Sequence, residues 1–245
     1  MKRTAIPMAR WGALIVLLSA RVAARGAPPT LDAFVTTGLT DLRATVTTLK
    51  ADPAELEKIN RDFATLYRLR KLTLSIKAPD CFRFENEVGL YLVNGSARYY
   101  RVPVLRLKKR EDLGNQPGKR PSLLDLGLIT PDVLARIDAR YVRSEPADGT
   151  PTDVFDVTLK HEESIRYRMW IDPKTRLILR REWRDGAGKL RAVFLCGDPK
   201  EVARGIWMPT RIEVRNADGA VAGVLSYSDL SVNVGLDPAL FVIPP

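Results

Sequence analysis

The sequence predicts a single α+β domain built on a long antiparallel sheet of about ten or eleven strands. Between His161 and Leu195, three runs of β-branched, aromatic and long apolar residues are separated by Asp172-Pro173-Lys174 and by Asp185-Gly186-Ala187-Gly188. Alternating apolar and polar residues with Gly and Pro breaks are typical of half-buried strands joined by hairpins. Arginines alternate with the apolar residues, so the predicted sheet has one apolar and one basic face.

This alternation assigns side chains to faces. In the first run, the apolar face is predicted to carry Ile165, Tyr167, Met169 and Ile171, and the opposite face Arg166 and Arg168. In the third run, Leu190, Ala192 and Phe194 stand against Lys189, Arg191 and Val193. A sheet this long must twist, and with one apolar face we expect it to curl round that face.

The first 26 residues have the layout of a secretory signal peptide. Lys2, Arg3 and Arg10 precede an apolar run from Trp11 to Ala20, and small residues follow. A membrane anchor is the alternative, but about ten apolar residues are short of the ~20 that span a bilayer. We therefore expect an exported, periplasmic protein whose single domain covers residues 27–245.

The charge of the chain is modestly basic. It contains 39 lysines and arginines against 29 acidic residues, a formal charge of +10, and five of the cations precede Ala27. The excess of five that remains is spread over strand faces, which indicates a solvated surface and no nucleic-acid interface.

Two helices are predicted before the sheet. Apolar residues recur at roughly helical spacing from Thr30 to Leu49. Asp52-Pro53-Ala54-Glu55 is a typical helix start, with a capping carboxylate, proline at the first position and glutamate three residues after the cap. Phe63 and Leu66 extend the buried stripe of this second helix.

Strands with period two begin at Lys71, and an Asn94-Gly95 turn and a basic edge from Arg106 to Arg110 follow. The segment Ser122–Thr130, here called the Leu-rich insert, interrupts them. It is almost wholly apolar, yet Gly127 and the following Pro131 make it a poor helix. We expect it to lie under the sheet, followed by a short helical stretch from Val133 to Ile137.

Few residues are suited to catalysis. His161 is the only histidine, and it lies in a charged run at a strand start, so a nucleophile–histidine pair is not expected. Cys81 and Cys196 are far apart in sequence, and two alternatives stay open for them: a disulfide, or two small buried hydrophobes. The sequence thus predicts neither an enzyme nor a bound metal or cofactor.

The order of several motifs resembles the LolA-like outer-membrane lipoprotein-sorting family. These motifs are Lys77, Pro79, Arg83 and Glu85 at a strand break; Asn94-Gly95; Trp170 to Pro173; Gly205, Ile206, Trp207 and Pro209; and Gly235, Leu236, Asp237 and Phe241. The resemblance covers nearly the whole exported part. In one departure, Ala78 stands where lipoprotein carriers often have an arginine that ties the lid shut.

The resemblance implies an unclosed β-barrel whose helices cover an apolar cavity. It also implies a monomeric periplasmic carrier that shields acyl chains of lipoproteins or other lipids on their way to the outer membrane, with transfer partners in either membrane. The alternative is a sensor or scaffold of the same fold that binds a protein partner. The expected cavity and lid residues are Leu74, Ile76, Phe84, Leu92, Leu123, Leu124, Leu126, Leu128, Ile129, Leu134, Tyr167, Met169, Ile171, Trp183, Phe194 and Trp207. For Trp170, Trp183 and Trp207, sheet core and cavity lining remain alternatives.

Overall fold

A computed structural model describes residues 27–60, 67, 69–160 and 162–244. Its strands are β1 (Asp41–Ala51), β2 (Lys71–Lys77), β3 (Cys81–Asn86), β4 (Gly89–Asn94), β5 (Ala97–Val102), β6 (Leu107–Asp112), β7 (Ile137–Ala147), β8 (Thr150–Leu159), β9 (Glu162–Ile171), β10 (Ile178–Asp185), β11 (Leu190–Ala203), β12 (Ile206–Asn216) and β13 (Val221–Val232). The helices are α1 (Pro53–Ile59) and α2 (Pro131–Ala135). Short 3₁₀ turns cover Leu31–Phe34, Pro103–Leu105, Pro117–Lys119, Leu123–Leu126 and Pro238–Phe241.

The strands form one antiparallel sheet in the order β6-β5-β4-β3-β2-β1-β13-β12-β11-β10-β9-β8-β7. Strands that follow one another in the chain are neighbours except for β6 and β7, which are the two edges. The sheet is therefore unclosed, and the basic segment predicted as an edge is β6. The predicted antiparallel architecture is confirmed, but the count of ten or eleven strands is wrong, because the described chain has thirteen.

One of the strands missing from the predicted count is β1, because the segment from Thr30 to Leu49 was predicted to be a helix. That predicted helix is wrong: Leu31–Phe34 is a single 3₁₀ turn, and Asp41–Ala51 is a strand between β2 and β13. Leu42, Ala44 and Val46 are buried at every second position, as in a strand. Threonine and valine favour extended backbone, and two neighbouring strands supply the packing.

The start of the second predicted helix is confirmed. The carboxylate of Asp52 accepts hydrogen bonds from the backbone N–H groups of Ala54 (3.1 Å) and Glu55 (3.2 Å), and α1 follows. Leu56 and Ile59 are buried against β12 and β13. Phe63 and Leu66 lie outside the described residues, as does the predicted signal peptide. None of the described helices is long and apolar enough to cross a membrane.

The sheet has an inner face, defined as the face that packs against the Leu-rich insert and α1. One inner cluster combines insert residues with strands β1–β4 and β11–β13, and a second combines insert residues with β7–β10 and the turn at Leu31–Phe34. Both clusters thus share one short covering segment. The short Leu-rich insert can contact strands from both halves of the sheet only if the sheet curves towards it.

The opposite, outer face of β3–β5 is covered by the C-terminal segment. Leu92 and Tyr99 pack there against Leu236 and Phe241. Several of the polar motif residues attach this segment: Lys77 Nζ donates to the carbonyl of Leu236 (2.8 Å), Arg83 Nη1 to that of Leu240 (2.9 Å), and Asn94 Nδ2 to that of Phe241 (3.1 Å). These motif residues therefore fasten the end of the chain to the outer face.

Ion pairs cover the outer face of β10 and β12. Glu182 accepts hydrogen bonds from Arg180 (2.7 Å) and Arg184 (2.5 Å), and Glu213 is held in the same way by Arg211 (3.0 Å) and Arg215 (2.7 Å). Burial alone would raise the pKa of each glutamate, but the bonds from its two arginines outweigh burial and lower the pKa. On β10 and β12, the outer face thus carries paired charges.

Candidate functional site

The Leu-rich insert is an ordered turn. Ser122 and Asp125 form a capping box in which the carboxylate of Asp125 accepts the N–H of Ser122 at 3.0 Å. The 3₁₀ turn Leu123–Leu126 ends at Gly127, whose φ of 74° is left-handed. A side chain at Gly127 would stand 3.1 Å from Cys196 Sγ and 3.2 Å from the carbonyl oxygen of Ile178, so only glycine fits without displacement.

The insert is attached mainly through apolar side chains. Leu128 and Ile129 have no exposed surface, and the three other leucines are 5% exposed or less. Two backbone hydrogen bonds fix its far end: Ile178 N–H donates to the carbonyl of Gly127 (2.9 Å), and Thr36 N–H to that of Ile129 (2.7 Å). Apolar contact, more than backbone pairing, therefore holds the insert on the sheet.

One charged contact joins the insert to the sheet. Arg181, on the inner face of β10, donates from Nη2 to Asp125 Oδ1 at 3.0 Å, and its side chain is 6% exposed. Its guanidinium lies over the rings of Phe194 (4.6 Å) and Tyr167 (5.0 Å). Burial alone would lower the pKa of Arg181, but the nearby carboxylate of Asp125 and the Tyr167 hydroxyl raise it, so the guanidinium is charged. Its Nη1 is buried and has no hydrogen-bond partner among the described residues.

A pocket of about 520 Å³ opens between the insert, α2 and β8–β10, and Arg181 lines it. The other basic residues of its wall are Arg120, Arg136 and Lys160. Its apolar wall consists of Leu124, Val133, Ile137, Leu159 and Tyr167. Because Leu124, Val133 and Ile137 belong to the second inner cluster, the pocket connects a cationic rim with the apolar interior.

The remaining buried polar groups beneath the insert are neutral. Burial raises the pKa of the Cys196 thiol to about 12 and that of the Tyr167 hydroxyl to about 12. Cys81 and Cys196 are both free thiols in different clusters, so the structure has no disulfide between them, and each packs as a small, partly buried hydrophobe. Across the described residues, no group of histidine, cysteine, aspartate and glutamate side chains could hold a metal ion.

Most residues predicted to line a cavity or lid are gathered on the inner face. Leu74, Ile76, Phe84, Leu123, Leu126, Leu128 and Trp207 belong to or pack against the first inner cluster; Leu124, Ile129, Leu134, Tyr167, Met169 and Ile171 to the second; and Trp183 and Phe194 to a third beside α1. Leu92 is not brought to this site. It lies on the outer face beneath Leu236 and Phe241, because side chains alternate along β4 and its neighbour Val93 points inward.

Trp170 also lies on the outer face. Its indole N–H donates to Glu145 at 2.6 Å, and Arg180 stacks over its ring at 4.8 Å. Among the three tryptophans considered for the cavity, Trp183 and Trp207 thus remain beside the inner clusters, whereas Trp170 belongs to the ion-paired surface. His161 lies outside the described residues.

Sequence reasoning missed Arg181 and Asp125. A signal was present: Leu179, Arg181 and Trp183 follow one another at period two, so an arginine occupies an inner-face position between two apolar residues. A buried arginine at such a position needs an acidic partner in the segment that packs on the inner face. Asp125 was the single acidic residue of the Leu-rich insert.

An unclosed antiparallel sheet with a covering segment on its inner face defines the LolA-like fold class. Among solved structures, a DUF1329 family protein from Desulfovibrio piger is similar, with 17% identity over 86% of this chain and 92% of its own, and a TM-score of 0.62. A putative outer membrane lipoprotein-sorting protein domain from Vibrio parahaemolyticus has 15% identity over 86% and 92%, with a TM-score of 0.60. A LolA superfamily protein from Nitrosomonas europaea has 15% identity over 87% and 94%, with a TM-score of 0.54.

Residues 117–243, just over half of the chain, match a family model described as "Uncharacterized protein", and the chain belongs to that family. The matched part begins just before the Leu-rich insert and ends with the C-terminal segment. No curated protein matches the sequence. The LolA-like likeness thus concerns the fold.

Proposed function

We propose that the protein is a non-enzymatic, exported carrier that shields acyl chains of lipids or lipid-modified proteins on the inner face of its sheet. The observation that carries this proposal is the Leu-rich insert. It fills the inner face with leucine side chains, joins two apolar clusters, and is held there by few backbone hydrogen bonds. An acyl chain has the same chemistry as the side chains of the insert, so it can take their place.

The free energy gained by burying an acyl chain is offset in part by the cost of exposing the leucines of the insert. Each methylene removed from water contributes ~0.8 kcal/mol. A chain of about ten methylenes therefore gains about 8 kcal/mol, which corresponds to a dissociation constant near the micromolar range. Displacing the insert exposes leucines in return, and this lowers the net affinity. The insert thereby keeps the empty inner face covered and lets cargo leave when a receiver offers more apolar surface.

Export is part of the proposal. The charged, apolar and small segments of residues 1–26 favour passage out of the cytoplasm, and the LolA-like fold of the described residues is consistent with a lipid carrier in the envelope. N-terminal sequencing of the protein from a periplasmic fraction tests this step. A start between Ala20 and Pro28 is expected, and an intact Met1 contradicts it.

The test of the carrier function is lipid analysis of protein purified without detergent. Native mass spectrometry is expected to find adducts with the masses of acylated molecules, and extraction should return them in stoichiometric amounts. The Leu126→Asp variant, described below, serves as a comparison in which the insert is displaced. Protein without lipid, which also fails to bind a fluorescent fatty acid in either form, contradicts the carrier and favours a sensor or scaffold that binds a protein partner.

A further inference from the structure

The guanidinium of Arg181 has more hydrogen-bonding capacity than its surroundings use. Its Nη2 donates to Asp125, whereas Nη1 is buried without a partner in the described part of the chain, and the Arg181 side chain lines the pocket. An unpaired donor on a buried cation is unfavourable, because the group has lost water and gained nothing in its place. Arg181 therefore has a donor that Asp125 leaves unused and that an acceptor replacing Asp125 can satisfy.

Three further basic residues lie at the rim of the pocket. Arg120 donates to the backbone carbonyls of Leu113 (3.2 Å) and Gly114 (3.1 Å) and forms no ion pair within 4 Å among described residues. Arg136 pairs with Asp132, and Lys160 donates to the carbonyl of Ala135 (3.0 Å) with Asp138 at 3.9 Å. Asp125 is the single carboxylate among the lining residues. Burial is the main cause that lowers the pKa of Arg136; the carboxylate of Asp80 opposes this shift, and the positive charge of Arg120 adds to it.

We propose that this pocket binds the oxyanion of an anionic amphiphile, a carboxylate or phosphate head group, whose acyl chain enters the inner face beside it. The inference rests on the proposed carrier function and adds the head-group chemistry of the cargo. Arg181 donates from Nη1 and Nη2 to the oxyanion, in the bidentate manner that guanidinium favours, and Arg136 and Lys160 contribute charge from the rim.

In the empty protein, the carboxylate of Asp125 occupies the place of this oxyanion. When the insert leaves the sheet it takes Asp125 with it, and Arg181 would remain on the apolar inner face as an unpaired cation. An anionic lipid replaces the lost carboxylate, whereas a neutral lipid of the same chain length does not. The preference for an anionic over a neutral lipid therefore arises because Arg181 loses Asp125 when the insert leaves the sheet.

The test compares two fluorescent ligands with one acyl chain, cis-parinaric acid and its methyl ester, and uses inorganic phosphate as a competitor. The protein is expected to bind the acid about tenfold more tightly than the ester, the ratio that 1.4 kcal/mol produces. Phosphate at millimolar concentration should weaken binding of the acid more than that of the ester, since it competes for the cationic wall only.

Three variants localise the effect. Arg181→Met should bring the ratio of the two affinities close to one, and the rim variant Arg136→Gln should lower it several-fold without disturbing the core. Arg204→Gln, in the exposed turn between β11 and β12, is the matched control and should leave the ratio unchanged. Thermal melts monitored by circular dichroism establish that each variant is folded, and Arg136→Gln decides the question if Arg181→Met is not.

The possible results distinguish failure of the head-group site from failure of the carrier function. Equal affinity for acid and ester, unaltered by Arg136→Gln, overturns the head-group site and leaves the carrier intact. Binding of phosphate alone, lost in the arginine variants, assigns the pocket to a free anion and contradicts an acyl cargo. If neither ligand nor phosphate binds, both proposals are wrong.

Discussion

Arg181 and Asp125 form an ion pair whose two members differ sharply in exposure. The side chain of Arg181 is 6% exposed beneath the Leu-rich insert, whereas that of Asp125, on the insert itself, is 52% exposed. If the insert moves away, Asp125 goes to water at little cost, but the cation of Arg181 stays on the sheet. Closing the insert therefore desolvates mainly one partner, Arg181, and the bond to Asp125 offsets part of that cost.

This asymmetry is measurable in a double-mutant cycle. Asp125→Ala is expected to lower the free energy of unfolding by about 1–3 kcal/mol, because it leaves a buried charged donor unpaired. Arg181→Met removes that charge. The variant with both substitutions should therefore lose less unfolding free energy than the sum of the losses in the two single variants. Chemical denaturation of the four proteins gives the coupling. Strict additivity would mean that the pair does not hold the insert.

The two arginines around Glu182 predict loss of stability in acid. They lower the pKa of Glu182 in the folded state, so the folded state binds its proton less readily than the unfolded chain. The stabilisation is therefore complete above the unfolded pKa of about 4.3 and is lost as the pH falls through the lower folded value. Unfolding free energies between pH 6 and pH 3 should fall less steeply in Glu182→Gln. The exposed Glu87→Gln is the control and should retain the slope of the parent protein.

Gly127 is predicted to be the least replaceable position of the insert. Gly127→Ala places a side chain at a φ of 74° and at 3.1 Å from Cys196 Sγ. Gly149→Ala is a matched control, because Gly149 has a φ of 81° with nothing within 4 Å of the added carbon. The control should lose about 1 kcal/mol from the left-handed backbone alone. A clearly larger loss in Gly127→Ala, measured by urea denaturation, is expected, and equal losses would show that the insert yields easily at this point.

The sequence was sufficient for the antiparallel architecture and for the faces of β9 and β11, since hairpin turns and period-two runs are local signals. It was insufficient for β1, where threonine-rich segments fit helix and strand patterns equally and the neighbours β2 and β13 decide. Leu92 was placed on the wrong side of its strand because β4 is apolar on both faces, one of them under the C-terminal segment. The basic pocket was not predictable from spacing, since Arg120, Arg136, Lys160 and Arg181 come together only when the insert lies on the sheet.

The face assignment of β9 can be tested by labelling. In a background with both native cysteines replaced by alanine, a thiol reagent should modify Arg166→Cys quickly and Met169→Cys very slowly, because Arg166 is exposed and Met169 has no exposed surface. Met169 is buried in the cluster that contains Leu124 and Ile129 of the insert. Its reactivity therefore reports whether the insert is in place. Equal rates at the two positions would contradict the assignment of inner and outer faces.

Leu126→Asp is predicted to release the insert while the sheet remains folded. Leu126 is 5% exposed in the first inner cluster, and a charge there is strongly unfavourable unless the segment moves out to water. The pairing of the thirteen strands involves no insert residue, so far-ultraviolet circular dichroism should be preserved. Leu49→Asp is the control, because Leu49 is 59% exposed and the same change should have little effect there.

Three measurements then follow from the opened state of Leu126→Asp. Met169→Cys should become reactive in this background, since its cover has left. A fluorescent fatty acid should bind more readily than to the parent protein, because binding no longer has to displace the leucines of the insert. The anionic probe should gain more than its methyl ester, since departure of Asp125 leaves Arg181 unpaired. Global unfolding without gain in probe binding would instead identify the insert as structural core, and the carrier would then have no moving part.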